Sequence, residues 1–181
     1  MPSRVLCLLI DGFEEIEALA PVDILRRAGA EVVLASLNEG MHVTGRSGIT
    51  VHADARLADL KDASFHLLFL PGGPGVKGLR EDGRPALLAQ AFAKSNKPVA
   101  AICAAPAVLK DAGLLEGRRF TSHFSIYDEV PGVLKNKAWV EDGWLLTGRG
   151  AGVAVEFGLL MVRRLFGEAK AEEVAKAIMF G

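Results

Sequence analysis

The chain has 181 residues, half of them hydrophobic and 24% charged, enough for one domain that buries roughly 70% of its unfolded surface and too apolar for a disordered chain. With 21 basic against 22 acidic residues and a net charge of -1, no basic stripe makes an electrostatic case for nucleic acid. Two cysteines, Cys7 and Cys103, are far too few for a disulfide scaffold.

The segment from Met1 to Ile10 carries one Arg and a short apolar run with no small-residue cleavage site, so no signal peptide is read there. No apolar run approaches ~18 residues, so no transmembrane helix is expected. A reducing cytoplasm is the default setting.

Val5 to Ile10 is continuously apolar, as in strands buried on both faces of a parallel sheet. Gly12 follows, then Glu14, Glu15 and Glu17, acidic residues suited to a first helical turn. Ile16, Leu19, Val22, Ile24 and Leu25 give that helix an apolar face, and Gly29 closes it. Glu31 to Leu37 is a second strand, which makes a right-handed βαβ opening. Asn38 to Ala55 alternates around Val43, Ile49 and Val51 and predicts a short β-hairpin. Phe65 to Leu70 is a buried strand running into Pro71-Gly72-Gly73-Pro74-Gly75. Arg84 to Lys94 predicts a helix, Val99 to Ile102 a strand, and Ala104 to Leu109 the start of another helix. Phe120 to Ser122 reads as a short strand. Trp139 to Glu141 and Trp144 to Thr147, split by Asp142-Gly143, read as a hairpin. Ala154 to Phe166 and Glu168 to Met179 are the last two helices. This alternation predicts a doubly wound α/β layer sandwich over residues 1–181, without repeats or linkers.

In such sheets ligands bind beyond the carboxyl ends of the strands. Three loops leave those ends with reactive or permissive residues. At Ile102 to Pro106 an apolar strand runs into Cys103 and then a helix. A nucleophile on that tight turn projects outward, and the following N–H groups and helix dipole would favour a thiolate. The competing reading is an inert core thiol, since Cys is often buried. At Leu70 to Gly73 the glycines Gly72 and Gly73 let backbone N–H groups approach a ligand, as in an oxyanion site, or form an ordinary loop. In the first turn, Glu14 and Glu15 fit a solvated, dipole-complementing role. Glu17 points inward on this reading, and a carboxyl there suits a thiolate if it is protonated and donates to sulfur. His123, just past Phe120 to Ser122, is either a surface residue or a general base or acid within reach of Cys103. Cys7, mid-strand, is core. The four histidines show no metal spacing, so no metal is predicted.

Four features coincide: DGFEEIEALAPVDILRRAG at the first turn, FLPGG, AAICAAPAVL and a downstream TSH. Together they resemble the DJ-1/ThiJ/PfpI superfamily, most closely its DJ-1 and YajL branch, and LLTGRGAGVAVEFGLLMV extends the match toward the C-terminus. The resemblance implies a flavodoxin-like three-layer α/β/α sandwich, with a mostly parallel sheet and a small hairpin, usually as a homodimer. It makes Cys103 the reactive, oxidisable cysteine and Glu17 the protonated glutamate bonded to it. His123 matches the family histidine, and Gly73 and Ala104 match the N–H donors that face a substrate oxygen. It implies glyoxalase III or deglycase activity on a small reactive aldehyde, methylglyoxal or its early adducts, in oxidative and carbonyl stress defence, without a cofactor. The alternative is a redox sensor or chaperone acting through oxidation of Cys103 to sulfinate. Phe124 replaces the proline that follows this histidine in DJ-1, and Arg46-Ser47 stands where an Arg would reach across a dimer. A class I amidotransferase would want G-x-C-x-G and H-x-E, neither of which is present. The protease branch places a His directly after its Cys, where this chain has Ala104.

Overall fold

The structure, a computed structural model, describes residues 3–60 and 64–181; Met1 and Pro2, where the signal-peptide reading begins, lie outside them. Apolar runs that show no alternation need cover on both faces, and the chain supplies it. Strands β1 (Arg4–Leu9), β2 (Glu31–Ser36), β5 (Ala55–Arg56), β6 (Leu67–Leu70), β7 (Val99–Ile102), β8 (Trp139–Asp142) and β9 (Leu145–Gly148) form one sheet in the order β5-β2-β1-β6-β7-β9-β8. All neighbours are parallel except β8 and β9, which pair antiparallel across the tight turn at Gly143. The separate hairpin is β3 (His42–Thr44) with β4 (Thr50–His52), in the register Val43 opposite Val51.

Alternate residues of the central strands enter two cores. Val5, Cys7, Leu9, Phe69 and Ile102 pack with helices α1 (Glu15–Arg27), α5 (Ala154–Phe166) and α6 (Glu168–Ala177). Leu6, Leu8, Leu68, Leu70 and Ala101 pack with α2 (Val76–Asp82), α3 (Arg84–Lys94) and α4 (Pro106–Asp111). The result is the flavodoxin-like three-layer sandwich, with Cys7 fully buried and its thiol pushed up by burial. Among the described residues no helix is long and apolar enough to cross a membrane.

One local expectation fails. Phe120 to Ser122 is buried but forms no strand. The Thr121 N–H donates to the Thr147 side-chain oxygen at 2.9 Å, and the Thr121 hydroxyl donates to Leu134 and Lys137 carbonyls. Its backbone is thus satisfied by a side chain rather than a ladder, which apolar patterning does not distinguish. Helix α2 begins directly after the loop over residues 71–75, in a stretch that the sequence pattern leaves unassigned. Gly78 lies in it close to the loop after β1, where a Cβ would meet Ile10 Cδ1 at 2.7 Å.

The β-to-α layer over the first core is set by a close contact of α1 with α5. A Cβ at Gly158 would lie 2.9 Å from Ile24 Cδ1 and 3.0 Å from Pro21 Cα. Gly158→Val is therefore expected to cost ~1–3 kcal/mol through overpacking, read as a lower urea midpoint with an unchanged slope.

Candidate active site

The elbow is present and strained. Cys103 follows β7 with φ of 63°, a left-handed conformation that few non-glycine residues adopt. Neighbouring strands and loops hold it there: its N–H donates to the Gly148 carbonyl at 2.8 Å, and its carbonyl accepts from the His123 N–H at 2.8 Å. Cys103 is 8% exposed.

Glu17 reaches the thiol from the first turn of α1. The Glu14 carboxylate caps that helix by accepting the Glu17 N–H at 2.7 Å, and the Glu14 N–H donates to the Gly72 carbonyl at 3.0 Å. These two bonds place the turn against the end of β6. The Glu17 carboxyl is 1% exposed, and its Oε2 has no hydrogen-bond partner of sound geometry among the described residues. A Cβ on Gly72 would strike Glu17 Oε2 and lie 2.6 Å from Cys103 Cβ. Gly72 is thus the spacer that lets carboxyl and thiol meet; it stands behind them and is not among the residues lining the cleft. Gly73 lies in the left-handed region at φ 99° and does line it.

The electrostatics of the pair differ from the helix-dipole expectation. Burial, the charge of Glu17 and its hydrogen bond push Cys103 up to about 12, against the pull of the Gly73 and Ala104 N–H groups. Burial also pushes Glu17 up to about 7, against the pull of Cys103 and with the help of the Glu14 charge. An ionised Glu17 is what holds the proton on sulfur. Once the proton moves to Glu17, the repulsion vanishes and the carboxyl O–H becomes a donor to the thiolate. A six-residue helix that begins three residues later, at Pro106, does not outweigh this.

Cys103 and Glu17 open on a cleft of about 450 Å³ that also takes in Gly73, Ala104, His123 and Ser125. The His123 ring is fixed by Ser125, whose N–H donates to Nδ1 at 3.2 Å and whose hydroxyl lies 2.9 Å away. In the neutral ring that places the proton on Nε2. His123 so held presents a donor to the cleft. Phe124, 73% exposed, lies against the His123 ring at 4.1 Å between centroids.

Arg46, read from the sequence only as standing where an Arg would reach across a dimer, lines the same cleft with Lys77 and Arg80, which sequence reasoning missed. Sequence reasoning also misjudged Glu15. That carboxylate is not solvated: it is 6% exposed, and its Oε1 accepts the Ser47 N–H at 2.7 Å. Burial opposes its ionisation, but the Ser47 and Ile49 N–H groups prevail and hold it below the usual carboxylate range. Gly45 has no room for a Cβ beside it. Glu15 therefore pins the hairpin loop to α1, a contact no local pattern announces.

The profile of the DJ-1/PfpI family matches residues 3–164. The chain belongs to the DJ-1/PfpI family. Protein dj-1beta of Drosophila melanogaster is 35% identical over 99% of this chain and 98% of its own length. Its crystal structure superimposes with a TM-score of 0.96, covering 100% of both chains at 34% identity. Protein DJ-1 homolog A of Arabidopsis thaliana is 36% identical over 97% of this chain, which spans 46% of that relative's length. A Pyrococcus abyssi family member named a deglycase is 38% identical over 70% of this chain and 76% of its own.

The two acidic residues predict opposite pH effects. Glu15, held low, stabilises the fold above the unfolded carboxyl value, and that stability is lost as pH falls through the depressed one. Glu15→Gln is expected to cost ~1–2 kcal/mol at pH 7, the difference from wild type shrinking toward acid pH in urea titrations. Glu17, held high, stabilises below the unfolded value of 4.5 and loses that stability as pH rises through about 7. Glu17→Gln is expected to flatten wild-type destabilisation between those values, seen as a smaller drop in thermal midpoint.

Proposed function

We propose that this chain is a cysteine-dependent enzyme of glyoxalase III or deglycase type, which acts on methylglyoxal or its early adducts and needs no cofactor. The observation that carries the reading is the buried Glu17 carboxyl set against the Cys103 thiol across Gly72, on a cleft that Gly73 and Ala104 also line. A deglycase name on a relative at 38% identity supports the same class.

The proton moves to Glu17, and the Cys103 thiolate bonds to the aldehyde carbon C1. The carbonyl electron pair goes to oxygen, where the Gly73 and Ala104 N–H groups stabilise it. Glu17 returns its proton to that oxygen, giving a hemithioacetal. The Glu17 carboxylate then takes the C1 hydrogen, and the electrons form an enediolate across C1 and C2. His123 Nε2–H suits the oxygen on C2. Glu17 delivers the proton to C2, and the C1 hydroxyl proton passes to the C2 oxygen, which leaves a lactoyl thioester. Water cleaves the carbon–sulfur bond, releasing lactate and the thiol.

A lactate assay on methylglyoxal tests this. Cys103→Ser is expected to abolish turnover and Glu17→Gln to lower kcat at least ~100-fold, whereas His123→Ala costs about 10-fold. Unchanged turnover in both Cys103→Ser and Glu17→Gln would falsify the reading.

A second reading rests on the unpartnered Glu17 Oε2. Two equivalents of peroxide would carry Cys103 through sulfenate to sulfinate, and a protonated Glu17 would donate to a sulfinate oxygen. Mass spectrometry after graded peroxide should then show two oxygens gained at Cys103. Equal oxidation of Cys7 would sink this reading.

A further inference from the structure

We propose that the mouth of the cleft is an anion subsite, in which Arg46 selects aldehyde adducts that bear a carboxylate over neutral ones. This rests on the reading of Cys103 as the nucleophile of the same cleft. Three cations line that cleft, Arg46, Lys77 and Arg80, but they are not equally free. Arg80 is committed: it forks onto Asp111 at 2.6 and 3.1 Å and reaches Glu129 at 2.8 Å. Lys77 lies 3.7 Å from Glu81. The Arg46 guanidinium has no carboxylate partner among the described residues.

Its backbone, by contrast, is held firmly. The Arg46 N–H donates to the Phe13 carbonyl at 2.8 Å, and the Gly45 N–H to Ile49 at 2.9 Å. The next residue, Ser47, is tied to Glu15. One backbone mesh then leads to the thiol, because Phe13 is followed by Glu14, whose N–H donates to Gly72 beside Cys103. A charged side chain is thus delivered to the cleft by a pinned loop and left without a counter-ion. Two carboxyls line the same cleft, Glu14, which accepts the Glu17 N–H, and the buried Glu17, so the three cations outnumber them. Val76, Ala107 and Ile126 wall the cleft with apolar surface, which lets a fixed charge act over a longer range than in open water. His123 Nε2–H adds a neutral donor.

The test reads charge selectivity at Cys103 itself. Iodoacetate and iodoacetamide both alkylate a thiolate with loss of iodide, but only the first is an anion. Their rates at Cys103 are followed by peptide mass spectrometry and normalised to a free model thiol. Wild type is expected to favour iodoacetate over the model thiol, with the preference falling as salt rises. Arg46→Glu, at an exposed loop tip, should lower the normalised ratio about 5- to 10-fold. A ratio unmoved by Arg46→Glu, or no alkylation of Cys103 by either reagent, overturns the subsite. A second arm measures kcat/KM on methylglyoxal hemithioacetals of 3-mercaptopropionate, 2-mercaptoethanol and cysteamine. The expected order is anionic, neutral, cationic, collapsing in Arg46→Glu. Alkylation selectivity without turnover would uphold the subsite and remove the enzymatic reading. Turnover with no charge preference would do the reverse.

Discussion

A buried carboxyl and a buried thiol occupy one small space, and neither can leave it. Glu17 is held by the helix cap at Glu14, and Cys103 by bonds to Gly148 and His123 on either side of its strained turn. Only the missing side chain of Gly72 lets the two come together. Low dielectric makes two negative charges there costly, so the pair keeps a proton, and the chemistry depends on which atom holds it. The left-handed turn at Cys103, the glycine loop after β6 and the start of α1 all serve that contact.

The same economy of contacts organises the rim. The β3–β4 hairpin is not part of the main sheet. Hydrogen bonds from Gly12 to Thr44 and from Arg46 to Phe13, together with the Glu15 carboxylate on Ser47, fasten it over the end of β1. Three glutamates of one turn thus divide the work: Glu14 caps, Glu15 anchors the hairpin, and Glu17 meets the thiol. Their chemistry is identical, and the direction each side chain takes from the helix separates them.

Membership of the DJ-1/PfpI family places this constellation on a widely used frame. A frame alone does not assign a reaction. Carbonyl chemistry calls for a nucleophile, an acid–base partner and two N–H groups, and Cys103, Glu17, Gly73 and Ala104 meet at one cleft. The same atoms would also stabilise an oxidised sulfur, since a protonated carboxyl donates to either oxygen or thiolate.

Much of this was legible in the sequence. Continuous apolar runs at Val5 to Ile10 and Val99 to Ile102 fix a parallel sheet with two covered faces, because only burial on both sides tolerates them. A cysteine at the end of such a strand, followed by small residues, marks the elbow, and the acidic first turn marks the start of α1. Proximity was not legible. Period and propensity say which way a residue faces along its own element, not what comes toward it from another. The Gly72 spacing that lets Glu17 meet Cys103, the anchoring role of Glu15, the donor orientation of His123 and the presence of Arg46 at the cleft all depend on loops from distant parts of the chain. Long-range backbone hydrogen bonds and the absence of a Cβ at Gly72 decided those, and only the folded chain brings them into contact.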